Sequence, residues 1–539
     1  MTANVTIRDD KVRDTSAVAA GSVFGLYPAS DFRLADGLCT DCPAIAQALW
    51  YFRSEVIAVA KPGRPVASYA TGVPVTEDLG TWLAGRDPAS GPEYPPLVWV
   101  AAPHVVHSAR LSADAAVLEW GGQSLQASLV PKIVLNRSWF DGTSAEFFRS
   151  RTIKVRGTID DGAIAIRTLW PEDFRLERSP PLQALEAGVS PALALRGLMR
   201  AEAFGGARSP YAVSTLWQRH PEQEPIPPPI PPGRAVLGFI VNGAQGDDDE
   251  AHGGHFALVT GRTRHDGAIG DWLVNNFYAL DSESEKGIIA APVPLDNYLA
   301  DLNSGQGWYR PSQLLVLVLA DDRAAALVQA ALNRVYNQFW RHQLAYRHAS
   351  MNCAGISVDV LRALGWDIPV RGPAGRIAAA LGFPYVAVKE RSIDKARVAF
   401  DYLTEDQTRL LPAAAFEECG AAALELANSR KDDGTSRGAL ARMLADDIDA
   451  IAFIRVPQFP SSRAFGDAPV VTPWEFQKRL PADRSKMQII PVPPRPFPDS
   501  LRAPDLVAAR RPASDYAAAA WACLLLIGIP LLILALLSG

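Results

Sequence analysis

Residues 253–261, G-G-H-F-A-L-V-T-G, and residues 350–366, S-M-N-C-A-G-I-S-V-D-V-L-R-A-L-G-W, decide the fold of this chain. The first is a short apolar run between glycines, which is typical of a buried strand. The second predicts a helix that begins at Cys353 and ends at Gly365. The positive end of the helix dipole lowers the pKa of a thiol there, and His255 on a neighbouring strand could accept its proton. The two stretches therefore predict thiol chemistry.

Other interpretations of both residues are open. Cys353 shares one apolar helix face with Ile356 and Val360, as a core cysteine would. The small residues Ala354 and Gly355 would instead let a substrate approach the thiol, and we favour a nucleophile. Three other histidines compete with His255 as the base, and they are His252, His342 and His348.

A third side chain would hold the imidazole in the required tautomer. Asn275 and Asn276 lie on the next predicted strand, and alternation places only one of them on the face of His255. We favour Asn276. The backbone N–H of Cys353 would contribute to an oxyanion hole, with Gln245 as a second donor. The predicted catalytic residues are Cys353, His255 and Asn276, with no cofactor and no metal.

The order of these residues resembles that of the circularly permuted NlpC/P60 superfamily, which includes the lecithin:retinol acyltransferase-like proteins. The N-C-E-H-F motif of that group is similar in placement to residues 352–356, N-C-A-G-I, and shares Asn352 and Cys353 with it. The resemblance covers residues 234–370. It implies a papain-like α+β fold, with Cys353 as nucleophile and His255 as base. It also implies cleavage or transfer of acyl groups on peptides, lipids or amides.

The length of 539 residues indicates several domains, since a single core rarely organises so long a chain. The expected fold class is α+β multidomain, with a central papain-like domain, a β-rich accessory domain and a C-terminal transmembrane helix. The predicted segments are an N-terminal α/β region (1–95), the β-rich domain (96–180), a helical segment with a Pro-rich linker (181–233), the thiol hydrolase domain (234–385), a C-terminal accessory region (386–500), a linker (501–516) and the membrane helix (517–538).

Two local patterns are specific enough to predict single elements. Asp160-Asp161-Gly162 separates two alternating runs, which indicates a hairpin turn. Residues 322–342 place Val328, Leu332, Val335 and Phe339 on one face, which predicts a long amphipathic helix.

The C-terminal run, residues 517–538, carries no charge and is long enough to cross a bilayer. Arginines lie only on its N-terminal side, so the positive-inside rule predicts a single-pass membrane protein with its bulk in the cytoplasm. A buried or oligomerising C-terminal helix is the alternative.

The remaining sequence features indicate the expected partners and leave other functions open. Lys plus Arg is 53 and Asp plus Glu is 58, a net charge of −5 that argues against nucleic acid, so the expected partners are a peptide or lipid substrate and the membrane. The Cys39–Cys42 pair, a CxxC, is open to packing, redox or zinc roles. Residues 247–255, D-D-D-E-A-H-G-G-H, suggest a metal-dependent hydrolase as one alternative. A non-catalytic membrane-tethered scaffold with a degenerate papain-like domain is the other.

Overall fold

The structure of the chain is a computed structural model. It describes residues 23–68, 75–87, 90–130, 140–200, 210–219, 230–243, 254–280, 288–344, 346–373, 375–429, 437–461, 497–501 and 516.

The described residues form strands and helices throughout. The strands are β1 Val23–Phe24, β2 Tyr27–Pro28, β3 Phe32–Asp36, β4 Val56–Ala60, β5 Val98–Trp99, β6 His104–Leu111, β7 Val117–Trp120, β8 Gln123–Leu129, β9 Ile153–Asp160, β10 Ala163–Pro171, β11 Ala212–Gln218, β12 Ala235–Asn242, β13 His255–Arg262, β14 Leu273–Asn276, β15 Ala291–Pro294, β16 Ser312–Leu319 and β17 Ile448–Val456. The helices are α1 Ala46–Tyr51, α2 Val75–Gly85, α3 Gly142–Arg149, α4 Pro191–Arg200, α5 Leu295–Ala300, α6 Arg323–Trp340, α7 Cys353–Ala363, α8 Arg376–Lys389, α9 Ile393–Thr404, α10 Gln407–Leu410, α11 Pro412–Asn428 and α12 Ala439–Asp447.

A seven-stranded antiparallel sheet carries the candidate site, with strand order β11-β17-β16-β12-β13-β14-β15. Every residue of β12 and β16 is buried. Helices α6 and α11 pack against β12 and β13, and α7 packs against β13. Strands at the centre of a sheet that is covered on both faces need apolar residues at every position, which explains the unbroken apolar runs of the sequence.

A closed barrel of five strands precedes this sheet, in the order β10-β8-β7-β6-β9. Strands β9 and β10 form an antiparallel hairpin, whose turn contains Asp161 at φ 46° and Gly162 at φ 78°. Two successive residues with positive φ give a turn whose twist matches the strands that it joins. The predicted hairpin turn at this position is confirmed. A separate three-stranded sheet has the order β3-β4-β5.

Charged side chains join the barrel to the seven-stranded sheet. Lys154 on β9 forms ion pairs with Asp271 and with Asp296, the latter at 2.8 Å. Arg156 on the same strand donates from Nε to Asp296 at 3.0 Å. All four side chains are at least nine-tenths buried. We call Lys154, Arg156, Asp271 and Asp296 the charged seam.

The predicted fold class was wrong. The protein is a mixed α/β structure with several sheets and a closed five-stranded barrel. Strands β11 and β17 come from outside the segment 234–385, yet they extend the same sheet as β12 and β16. An edge of β16 left unpaired would expose backbone groups, and β17 satisfies them. The sheet that carries the site is therefore not confined to a central papain-like α+β domain.

The prediction of a single-pass membrane protein with its bulk in the cytoplasm does not stand either. Among the described residues, no helix has both the length and the apolar character needed to cross a bilayer. Residues 517–538, on which the prediction depended, lie outside the described residues. An uncharged run establishes hydrophobicity alone, and the prediction of a span from it assumed a helix that the sequence pattern does not itself prove.

Candidate active site

Helix α7 begins at Cys353 because the preceding residue caps it. Asn352 has an extended backbone, and its Oδ1 accepts hydrogen bonds from the N–H groups of Ala354 and Gly355, both at 3.0 Å. Its Nδ2 donates to two backbone carbonyls of neighbouring segments. An Asn side chain at this position satisfies N–H groups that the first helical turn leaves without partners. The cap fixes the start of the helix and, with it, the position of the thiol.

The Cys353 side chain is only 3% exposed and lies against strand β13. Its Sγ accepts a hydrogen bond from the backbone N–H of Phe256 at 3.6 Å. Its own backbone N–H donates to the hydroxyl of Tyr346 at 3.4 Å. The sulfur therefore contacts the peptide group that directly follows His255.

His255 is the first residue of β13 and is held by Asn276 on β14. The distance between His255 Nε2 and Asn276 Oδ1 is 2.8 Å, and both residues are buried. An amide oxygen can only accept, so Nε2 carries the proton and Nδ1 keeps its lone pair. Tyr336 donates from its hydroxyl to the Asn276 carbonyl at 3.0 Å. Asn276 thus orients the ring and leaves Nδ1 as the basic nitrogen.

Asn275 lies on the other face of the sheet. Its Nδ2 donates to Gln329 Oε1 at 3.1 Å, and its Oδ1 accepts from Gln329 Nε2 at 2.8 Å. This amide pair joins β14 to α6. Of the two asparagines that the sequence left open, the structure places Asn276 on the imidazole.

The thiol and the imidazole are not hydrogen-bonded to each other. Within the described part of the chain, the partner of the His255 ring is Asn276, and those of Cys353 Sγ are the Phe256 N–H and the Tyr346 hydroxyl. Hydrogen bonds between catalytic groups are often long in the absence of substrate and tighten when substrate binds. The arrangement places nucleophile and base on adjoining elements without a bond between them.

Burial sets the protonation of both groups. Burial raises the pKa of the Cys353 thiol, and hydrogen bonds from the Phe256 N–H and from Tyr346 offset only part of that effect. Burial and the neighbouring Arg310 cation lower the pKa of His255 to about 3, although Asn276 opposes them. Both side chains are therefore neutral at pH 7. The sequence predicted a lowered thiol pKa from the helix dipole, but desolvation outweighs it here.

Three further residues, which the sequence analysis missed, complete the site. The rings of Tyr278 and Tyr298 lie 5.9 and 6.4 Å from the His255 ring. Tyr298 donates from its hydroxyl to Asn242 at the end of β12. Arg310 is fully buried, and its charge lowers the pKa of the Cys353 thiol. Residues 307–311, G-W-Y-R-P, follow no periodic or motif pattern, so no signal in the sequence marks Arg310.

Of the competing histidines, the structure describes His342 and His348, and the ring of His348 lies 5.2 Å from that of Tyr346. His342 Nε2 lies 2.6 Å from the hydroxyl of Tyr51, and the side chain of His348 is exposed. His252 and Gln245 lie outside the described residues, as does the acidic stretch 247–253 on which the metal-dependent alternative rests.

The N-terminal CxxC forms a disulfide, Cys39–Cys42. Arg33 Nη2 contacts both sulfurs, at 3.5 and 3.8 Å, and pairs with Asp41 at 2.6 Å. In the described residues, Cys39, Asp41 and Cys42 are the one group that could surround a metal ion. Two disulfide-bonded sulfurs are not thiolate ligands, so the group fits a zinc ion only after reduction.

Comparisons with protein-family models, with curated proteins and with solved structures give no match to this chain.

Proposed function

We propose that this protein is a cysteine-dependent hydrolase or acyltransferase that acts on an amide or ester of a peptide or lipid. Cys353 is the nucleophile, His255 the base and Asn276 the residue that orients it. The observation that carries the proposal is the 2.8 Å contact between His255 Nε2 and Asn276 Oδ1, which leaves Nδ1 free on the residue adjoining the thiol. A strand histidine oriented by an amide beside a cysteine at a helix start is the arrangement that nucleophilic thiol catalysis requires.

In the proposed mechanism the thiol is activated only when substrate is bound. The Cys353 proton passes to His255 Nδ1 as the sulfur attacks the substrate carbonyl. The tetrahedral adduct then collapses to a thioester, and the proton moves from Nδ1 to the departing nitrogen or oxygen. Water or an acceptor hydroxyl or amine gives its proton to Nδ1 and attacks the thioester. The acyl product then leaves, and Nδ1 returns the proton to the Cys353 sulfur, which restores the thiol.

The raised thiol pKa also favours a second candidate function. A neutral, buried cysteine that has no bond to the imidazole is what a non-catalytic scaffold with a degenerate thiol site would contain. The two functions differ in whether Cys353 forms an acyl-enzyme.

Acylation by p-nitrophenyl acetate separates them. We expect release of p-nitrophenolate together with an acetyl group on Cys353, detected by mass spectrometry of peptides. Cys353→Ser should remove both signals. Cys419→Ser is the matched control, since Cys419 is also a buried free cysteine whose thiol pKa is raised. Ester cleavage that persists in Cys353→Ser, or no acetyl group on Cys353, would overturn the proposal.

A further inference from the structure

Arg310 is a buried cation whose hydrogen-bond partners are all neutral. It is 1% exposed. Its Nε and Nη2 both donate to Gln306 Oε1, at 2.9 and 2.5 Å, and its Nη1 donates to the carbonyl of Gly243 at 3.1 Å. A guanidinium has five N–H groups, so one N–H on each terminal nitrogen remains available.

The other buried cations of the described residues are all paired with carboxylates. Arg156 contacts Asp296 at 3.0 Å, and Lys154 contacts the same carboxylate. Arg334 donates to both oxygens of Asp78 at 2.6 Å. Buried charges are normally paired, because an unpaired one keeps the full cost of its desolvation. Among the buried cations of the described residues, Arg310 is therefore the one that has no carboxylate partner.

The described ionisable groups whose charges act on Arg310 do not neutralise it at pH 7. They are the thiol of Cys353, the imidazole of His255 and the phenols of Tyr278, Tyr298 and Tyr309. Burial raises the pKa of both Cys353 and Tyr298. His255 is neutral as well, so the described residues give the site a net positive charge before any substrate enters.

We propose that Arg310 binds an anionic group, a carboxylate or a phosphate, on the acyl substrate of Cys353. The inference rests on the proposed function and narrows its substrate class. Two N–H groups on adjacent nitrogens fit two oxygens of one anion. A neutral amide or ester would leave the buried charge without a partner, whereas an anionic substrate neutralises it. The site therefore selects acyl compounds whose negative charge lies near the reacting carbonyl.

The test compares an anionic and a neutral alkylating reagent on the full-length chain. Iodoacetate and iodoacetamide react with the same thiolate, so the ratio of their rate constants does not depend on the thiol pKa. We expect this ratio at Cys353 to exceed that of free cysteine by about tenfold or more, the effect of one charged hydrogen bond. Arg310→Gln should return the ratio to that of free cysteine, and Arg310→Lys should retain part of the preference.

Protection of Cys353 against iodoacetamide by added anions can be measured on the wild-type protein alone. Sodium acetate that slows iodoacetamide labelling of Cys353 indicates a carboxylate substrate, and inorganic phosphate that does so indicates a phosphate. Sodium chloride at the same ionic strength is the control. An iodoacetate preference equal to that of free cysteine, without protection by either anion, would overturn the inference.

Failure of the nucleophile is distinguishable from failure of the anion site. If neither reagent labels Cys353 in the folded protein, the proposed function fails, and anion binding is then measured by the shift of the melting temperature with acetate and phosphate. A stabilisation that Arg310→Gln removes supports the anion site even then. No stabilisation by either anion contradicts it.

Discussion

The charged seam and the candidate active site both contain buried cations, but the partners of these cations are charged at the seam and neutral at the site. At the seam, Lys154 and Arg156 contact Asp271 and Asp296 directly. At the site, Arg310 meets only neutral acceptors.

The difference is the one expected if the seam serves stability and the candidate site binds an anion. An ion pair inside a protein regains through mutual attraction part of what its charges lose on leaving water. The pKa of Asp296 follows this logic: burial raises it, but Arg156 and Lys154 outweigh burial and hold it below its ordinary value. Among the described residues, Arg310 has no such compensation, so its charge keeps the cost of leaving water. An anionic ligand, as proposed above, would neutralise that charge.

The largest loss of stability should follow from removing a carboxylate of the charged seam. Asp296→Asn leaves Lys154 and Arg156 buried without their shared carboxylate, and we expect a loss of about 3–5 kcal/mol in the free energy of unfolding. Urea denaturation monitored by circular dichroism measures it. Asp394→Asn is the control, since Asp394 pairs with Arg397 at the surface, where such pairs contribute under about 1 kcal/mol. Equal losses in both variants would remove the distinction between seam and surface.

A smaller loss should follow from removing the unpaired cation. Arg310→Gln gives up hydrogen bonds to Gln306 and Gly243 but also removes the desolvation cost of the charge. We expect a loss of about 1–3 kcal/mol at most, in the same urea experiment. Arg156→Gln is the matched variant and should lose about 3–5 kcal/mol, because the buried Asp296 then keeps only Lys154 of the two cations beside it. If Arg310→Gln lost as much as Arg156→Gln, Arg310 would have an anionic partner within the protein itself.

Local patterns in the sequence were sufficient for individual elements. The predicted helix over 322–342 corresponds to α6, Arg323–Trp340, and is confirmed. The start of α7 at Cys353 also agrees with its prediction. Both depend on periodicity, which acts within a few positions along the chain, and α7 is also capped by Asn352. The pairing of β17 with β16 could not be predicted, because any buried apolar strand satisfies the same pattern.

Prediction of the candidate site from the sequence was limited in the same way, to features that are local along the chain. Alternation along a strand correctly separated Asn276 from Asn275, since neighbouring side chains point to opposite faces. Arg310 and Tyr346 reach Cys353 only through the tertiary fold, and no spacing in the sequence indicates them. The direction of the thiol pKa shift was missed for a related reason. The helix dipole follows from position along the chain, whereas the depth of burial follows from everything packed around it.

Acid should lower the free energy of unfolding of the protein, because His255 is buried in its neutral form. The pKa of His255 is about 3 in the folded protein, against about 6.5 in an unfolded chain. Between these values the unfolded state binds the extra proton, so stability is full above pH ~6.5 and falls below it by up to about 1.4 kcal/mol per pH unit. Urea denaturation at pH 7 and pH 5.5 should show a steeper loss for the wild type than for His255→Gln. His348→Gln, at an exposed histidine, should behave as the wild type does. Parallel losses in all three proteins would mean that His255 is accessible to protons.

The smallest predicted effect is on the titration of the nucleophile itself. Burial raises the pKa of Cys353, so iodoacetamide labelling should increase with pH through a midpoint above the ~8.5 of a free thiol. At pH 7 labelling should be several times slower than that of the same cysteine in urea, as read by mass spectrometry. Arg310→Gln should move the midpoint upward again, because the cation favours the thiolate. Asn275→Ala is the control, since Asn275 bonds to α6 on the opposite face. A midpoint below ~8.5 would instead mean that the helix N-terminus dominates over burial, and the resting site would then hold a thiolate paired with Arg310.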